Sequence, residues 1–157
     1  MPSVEVVERV TIDAPQARVW ALLKDVRQVV ECVPGATLGE QRDDGRYDAS
    51  IGVKFGVISL RFGGVARVTY DDASHSVTLA AQGRDMARTT RAAGDVVVGI
   101  STATAGTDVE VRGTFEFAGP TAHLAQTGAR AVAGSILRSF AACLGRRIAA
   151  AQGGEAE

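Results

Sequence analysis

The residues able to do chemistry are few, and their spacing argues against most catalytic schemes. The chain has two histidines, His75 and His123, and two cysteines, Cys32 and Cys143. Neither histidine has a Cys or carboxylate at metal-ligand spacing, so no metal site is expected. Each reads as a solvated histidine, His75 in a loop between strands and His123 in the first turn of a helix. A Cys143–His123 nucleophile pair would be separated by about 30 Å along one helix, too far for proton transfer. The cysteines lack a CxxC partner, and two reduced thiols are expected. The adjacent carboxylates Asp43-Asp44 and Asp71-Asp72 lie in turns, which account for them without catalysis. No GxSxG, Walker, HExxH or dinucleotide fingerprint occurs.

Charge is the next signal. The 157 residues carry a net charge of -1, with 46% apolar and 22% charged side chains, ordinary for one globular domain. The charge is uneven. Residues 117–154 hold Arg130, Arg138, Arg146 and Arg147 and no acid. These arginines either solubilise a helix and favour its C-terminal end, or form a docking surface for an acidic protein or anionic lipid headgroups. Four charges without interleaved aromatics do not argue for nucleic acid. No apolar run reaches the length of a membrane span, and the N-terminus lacks the pattern of a secretory signal, so a cytoplasmic protein is expected.

The elements that would position these groups follow from periodicity. Val4 to Ile12 is β-branched and reads as a strand. Asp13 with Gln16 suggests a capping box, opening a helix through Val19, Trp20, Leu22 and Leu23. Asp25 caps a second helix, Val26 to Val33, which Pro34-Gly35 stops. Then come strands: Thr37 to Arg42; Tyr47 to Phe55, with odd positions apolar; and Ile58 to Tyr70. Asp43-Asp44-Gly45 and Gly56 supply turns, and Gly63-Gly64 suggests a bulge or sharp bend. After a loop from Asp71 to Ser76, further strands run from Val77 to Met86, from Thr89 to Thr104 and from Val109 to Phe117. Pro120 to about Gln152 reads as one long helix whose apolar positions include Leu124, Ala133, Ile136, Leu137, Phe140, Leu144 and Ile148. Sequential hairpins imply an antiparallel sheet. Residues 1–152 form one α+β domain of a curved sheet wrapped around the final helix, with 153–157 as a frayed tail.

Inward parity then gathers Ile51, Val53, Phe55, Leu60, Phe62, Val98, Ile100, Phe115 and Phe117. The long helix adds Leu124, Ile136, Leu137 and Phe140. These side chains form core, and where a bent sheet and one helix cannot touch they line a cavity.

The segment VTIDAPQARVWALLKDVRQVVECVPGA, with Cys32-Val33-Pro34-Gly35-Ala36 at its end, resembles the opening of the START-like (SRPBCC, helix-grip) superfamily. It is most similar to the CoxG branch, proteins named for a subunit of carbon monoxide dehydrogenase. Gly56-Val57-Ile58-Ser59-Leu60, Gly64, Gly119 and Ala125-Gln126-Thr127-Gly128 match the same branch, and the resemblance covers residues 3–150. It implies a seven-stranded antiparallel sheet gripping a C-terminal helix around an apolar cavity. It also implies an accessory role beside molybdenum hydroxylases of the carbon monoxide dehydrogenase type, in membrane recruitment and handling of a quinone or similar lipid. Many CoxG proteins continue past the domain to a membrane-attaching segment, whereas this sequence ends at Glu157.

The leading expectation is a non-catalytic binding protein for an apolar small molecule, a quinone or lipid, with no metal and no covalent cofactor. Movement near Pro34 and Gly35 would gate access. The alternative is a partner-docking or membrane-recruitment module acting at the inner face of the membrane through the basic helix. A third reading, an enzyme, follows from START-like cyclases and aromatases. Its polar groups would be Tyr47, Arg61, Asp85 or Arg112, and strand parity turns Arg61 and Arg112 outward.

Overall fold

The computed structural model describes residues 3–55, 57–85, 90–119 and 122–156; the side chains of Phe55, Ile58, 122–127, 129 and 151–156 fall outside that description. The elements follow as β1 (Ser3–Ile12), α1 (Gln16–Leu23), α2 (Val26–Glu31), β2 (Ala36–Gln41), β3 (Tyr47–Phe55), β4 (Ile58–Asp71), β5 (Ser76–Asp85), β6 (Arg91–Ala103), β7 (Gly106–Ala118) and α3 (Ala122–Ala156). The strands form one seven-stranded sheet in the order β1-β7-β6-β5-β4-β3-β2. Every neighbouring pair is antiparallel. Successive hairpins build β2 to β7, and β1 returns to pair with the last strand, as short antiparallel connections dictate.

Alternation along each strand sorts the side chains onto two faces. Val98 lies opposite Val111 and Ile100 opposite Val109, so apolar positions of adjacent strands share the inner face. The same parity puts Ile51 opposite Phe62 and Val53 opposite Leu60. Against this face lies α3, 35 residues long, or about 50 Å. Its buried stripe is Ala133, Leu137, Phe140, Ala141, Leu144 and Ile148, the three-and-four spacing of one helical face. Ile136 is only half-buried and joins neither apolar cluster, because it lies on the flank of that stripe.

Several local expectations are corrected. The Asp13–Gln16 capping box does not form: Gln16 is the first helical residue rather than the third, and Pro15 occupies the cap without a side-chain bond. At α2 the Asp25 carboxylate does cap the helix, accepting from the Gln28 backbone N–H at 3.3 Å. Hydrogen bonds from Gln28 hold its pKa below the usual value. This helix ends at Glu31, two residues early, since a residue preceding Pro34 is driven toward extended backbone. No bulge occurs at Gly63-Gly64, and β4 keeps its register with both neighbours. The register shift falls between Leu38 and Gln41, on edge strand β2, where bulges are common. The helix α3 continues past Gln152 to Ala156, through Gly153 and Gly154, although glycine disfavours helix. His75 is half-buried rather than solvated, edge-on to the Trp20 ring at 5.4 Å between centroids. Met86 and Thr89 lie outside the described residues, as does Gly56.

The paired glycines have different roles. A Cβ at Gly64 would collide with the Gln82 carbonyl oxygen and the Gly83 Cα of β5, so only glycine lets the curved strands approach. A Cβ at Gly63 meets nothing within 4 Å. Urea unfolding should therefore place Gly64→Ala about 2 kcal/mol or more below the native chain. Gly63→Ala should stay within about 0.5 kcal/mol of it or be slightly more stable. Equal effects at both positions would contradict the close approach.

Candidate functional site

The inner face is two apolar clusters rather than one cavity wall. The larger joins Val98, Ile100, Val109 and Val111 of the sheet to Val19 and Leu23 of α1, to Val29 of α2, and to Leu137, Phe140, Leu144 and Ile148 of α3. Val109, Val111 and Leu144 are wholly buried. Here α1 and α2 pack between sheet and helix, and four of the expected lining residues (Val98, Ile100, Leu137 and Phe140) are buried in this cluster.

The second cluster is different in kind. Val4, Leu60, Phe62 and Phe117 are buried, and Ile51, Val53, Phe115, Ala92, Val6 and Val132 pack around them only partly covered. No residue of α1 or α2 belongs to it. Gly94 and Gly113 leave room for the Phe115 ring: a Cβ on either would come within 2.8 Å of it. The ring thus lies over backbone, and the inner face stays shallow at this point. The expected residues Ile51, Val53, Leu60, Phe62, Phe115 and Phe117 converge here. Phe55 and Leu124 belong to β3 and α3, but their side chains fall outside the described residues, as does that of His123.

The turn at Pro34-Gly35 borders this second cluster and is braced. Gly35 has φ +78, and a Cβ there would lie 2.5 Å from the Gly52 carbonyl oxygen. Its own carbonyl accepts from the Gly52 N–H at 3.1 Å. Movement of this turn would have to break that bond beside Ile51. The cysteines add a second brace and correct an expectation. Cys32 and Cys143 form a disulfide, with Cα atoms 5.4 Å apart, joining the end of α2 to α3. Sequence distance hid the pairing, because only the fold brings α2 against the middle of the long helix.

The arginines of α3 are largely occupied within the chain. Arg138 Nη1 donates to Glu8 Oε1 at 3.1 Å and Arg147 Nη1 to Glu31 Oε1 at 2.7 Å. Arg130 Nη1 donates to the Glu5 carbonyl oxygen at 3.2 Å. Only Arg146 of the four makes no such contact among the described residues. Glu8 was not singled out by the sequence. It stands opposite Val111 on the helix-facing parity of edge strand β1, where a β-branched run conceals one carboxylate.

The polar groups named for catalysis do not converge. Arg61 and Arg112 are exposed on the outer face, and Arg112 is paired with Glu5 and Glu110. Asp85 is buried and its Oδ2 accepts from the Arg61 backbone N–H at 3.0 Å. Tyr47 lies at the start of β3, opposite Ala66. Among the described residues no group of three His, Cys, Asp or Glu could hold a metal ion. No helix among them is long and apolar enough to cross a membrane.

A curved antiparallel sheet gripping a long C-terminal helix defines a START-like helix-grip protein, and comparison with solved structures agrees. A START superfamily protein from Mycobacterium smegmatis superposes with TM-score 0.59 at 19% identity, covering 92% of this chain and 96% of the other. A conserved protein from Geobacillus kaustophilus gives 0.70 at 17% identity, covering 93% and 95%. The Zhui aromatase/cyclase from Streptomyces sp. R1128 gives 0.59 at 14% identity, covering 94% and 92%. At these identities the likeness is one of fold. No curated protein matches the sequence. Residues 9–149 match the family of the CoxG subunit of carbon monoxide dehydrogenase, and the chain belongs to that family.

The disulfide is directly testable. Thiol titration of the denatured, unreduced protein should find no free cysteine, and two after reduction. Cys143→Ser should lower unfolding free energy by about 2–4 kcal/mol, the range for a bridge that closes a long loop. Two titratable thiols before reduction would contradict the pairing.

Proposed function

We propose that the protein binds an apolar small molecule, a quinone or another lipid-like compound, against the second inner cluster, and does so without catalysis. One observation carries this reading. Ile51, Val53 and Phe115 face the helix side of the sheet yet remain only partly buried, in a cluster that neither α1 nor α2 fills. Apolar surface of this kind is stabilised by covering it, at about 25 cal/mol per Å². A planar, apolar ligand can supply that cover, and Phe115 offers a ring to stack on. Membership of the CoxG family supports service to a molybdenum hydroxylase of the carbon monoxide dehydrogenase type, at the cytoplasmic face of the membrane. A docking role for the basic face of α3 is less well supported, since three of its four arginines already bind groups of the same chain. The scattered positions of Tyr47, Arg61, Asp85 and Arg112 favour binding over a cyclase reaction.

Native mass spectrometry with a short-chain quinone, paired with displacement of a hydrophobic fluorescent probe, tests the reading. A one-to-one complex is expected. Val53→Asp and Phe115→Ala should each weaken it about tenfold or more, because a charge or a gap replaces apolar wall. Val97→Asp, on the outer parity of β6, should leave it unchanged. The reading fails if neither quinone nor probe binds, or if folded Val53→Asp and Phe115→Ala both bind as the native chain does.

A further inference from the structure

The outer face of the sheet carries a second feature, independent of the inner cluster. In the sheet register Gly63 of β4 stands opposite Arg84 of β5. Arg84 stands opposite Arg91 of β6, and Arg91 opposite Ala118 of β7. Two arginines therefore sit side by side in one transverse row, with the smallest side chains on either flank. The next row places Gln82 opposite Ala93, and Ala93 opposite Glu116. Together these residues line a cleft of about 450 Å³.

Like charges directly opposite one another on adjacent strands repel. Some arginines elsewhere on this face have carboxylate partners, whereas Arg61 donates to the Ser50 hydroxyl. Arg9 meets Glu110 at 2.9 Å and Arg112 meets Glu5 at 2.9 Å. Arg84 and Arg91 have no hydrogen bond or ion pair among the described residues. Both are exposed and border this open cleft. The cleft exists because Gly63 leaves the space beside Arg84 empty: nothing lies within 4 Å of where its Cβ would be.

We propose that this cleft is a binding site for a phosphate group, held between the Arg84 and Arg91 guanidinium forks with the Gln82 amide as a further donor. Each fork presents two parallel N–H donors. A carboxylate has two oxygens and satisfies one fork, whereas a phosphate has enough oxygens for both. The bound dianion also removes the repulsion between the arginines. Glu116, also in the lining, leaves the cleft at a net charge of +1 from its two arginines and one glutamate. Ala93 and Ala118 keep that side open. The phosphate belongs either to a soluble compound or to a lipid headgroup, which share this chemistry.

Two arms test the site on the full chain. The first is calorimetric titration with inorganic phosphate, with sulfate as competitor. The second is co-sedimentation with phosphatidylcholine vesicles, with and without phosphatidic acid. Binding in either arm should fall about tenfold for Arg84→Gln and again for Arg91→Gln. It should persist in Arg67→Gln, on the same face but outside the cleft. Arginine-dependent binding of free phosphate alone identifies a soluble ligand. Binding confined to vesicles containing phosphatidic acid, and lost in the same variants, identifies a headgroup. The proposal is overturned if neither arm binds, or if binding is unaffected in the folded Arg84→Gln and Arg91→Gln proteins.

Discussion

Burial of one stripe of α3 in a curved sheet is the constraint on which the rest of the molecule depends. Leu144, in that stripe, is wholly buried with Val109 and Val111 of β7, which lies between β1 and β6. A helix is straight and a twisted sheet is not, so contact this close at one end of α3 leaves poorer contact toward the other. The chain resolves the mismatch asymmetrically. Around the C-terminal half of α3, the helices α1 and α2 fill the gap, and the Cys32–Cys143 bridge fastens α2 in place. Toward the N-terminal half no such filling occurs, and apolar side chains of β3 and β7 remain partly open.

Polar contacts then fix the helix in register on the sheet. Glu8 takes a helix-facing place on edge strand β1 that an apolar residue would ordinarily hold, and Arg138 answers it from α3. Arg130 and Arg147 act at the two ends, on β1 and α2. Exposed pairs of this kind contribute little stability individually. Their spacing, one on each region that α3 crosses, makes them better suited to specifying where the helix lies. Three of the four arginines that looked like a free basic surface are thereby engaged with groups of the same chain.

The fold was legible in the sequence because periodicity reports burial. The alternation from Tyr47 to Phe55 and the spacing from Ala133 to Ile148 are direct imprints of a half-buried strand and of one helical face. What was not legible depends on contacts across the fold. Nothing near Cys32 announces Cys143, and nothing in the arginine spacing announces Glu8. The double glycine read as a bulge or sharp bend, because an inserted residue, a bend and a close approach all select glycine. Parity alone cannot tell Val98, packed with α1, from Val53, which no helix of the α1–α2 pair covers. That distinction separates core from candidate site.

The central claim is that an apolar ligand lies against β3 and β7 beneath the N-terminal half of α3. Isotope-filtered NOE spectroscopy of the protein with a bound short-chain quinone measures this directly. Cross-peaks from ring protons of the ligand to the methyl groups of Ile51, Val53 and Leu60 and to the Phe115 ring are the predicted result. Contacts confined to the outer face, at Val97, or to the sealed cluster at Leu23 and Leu144 would contradict the account.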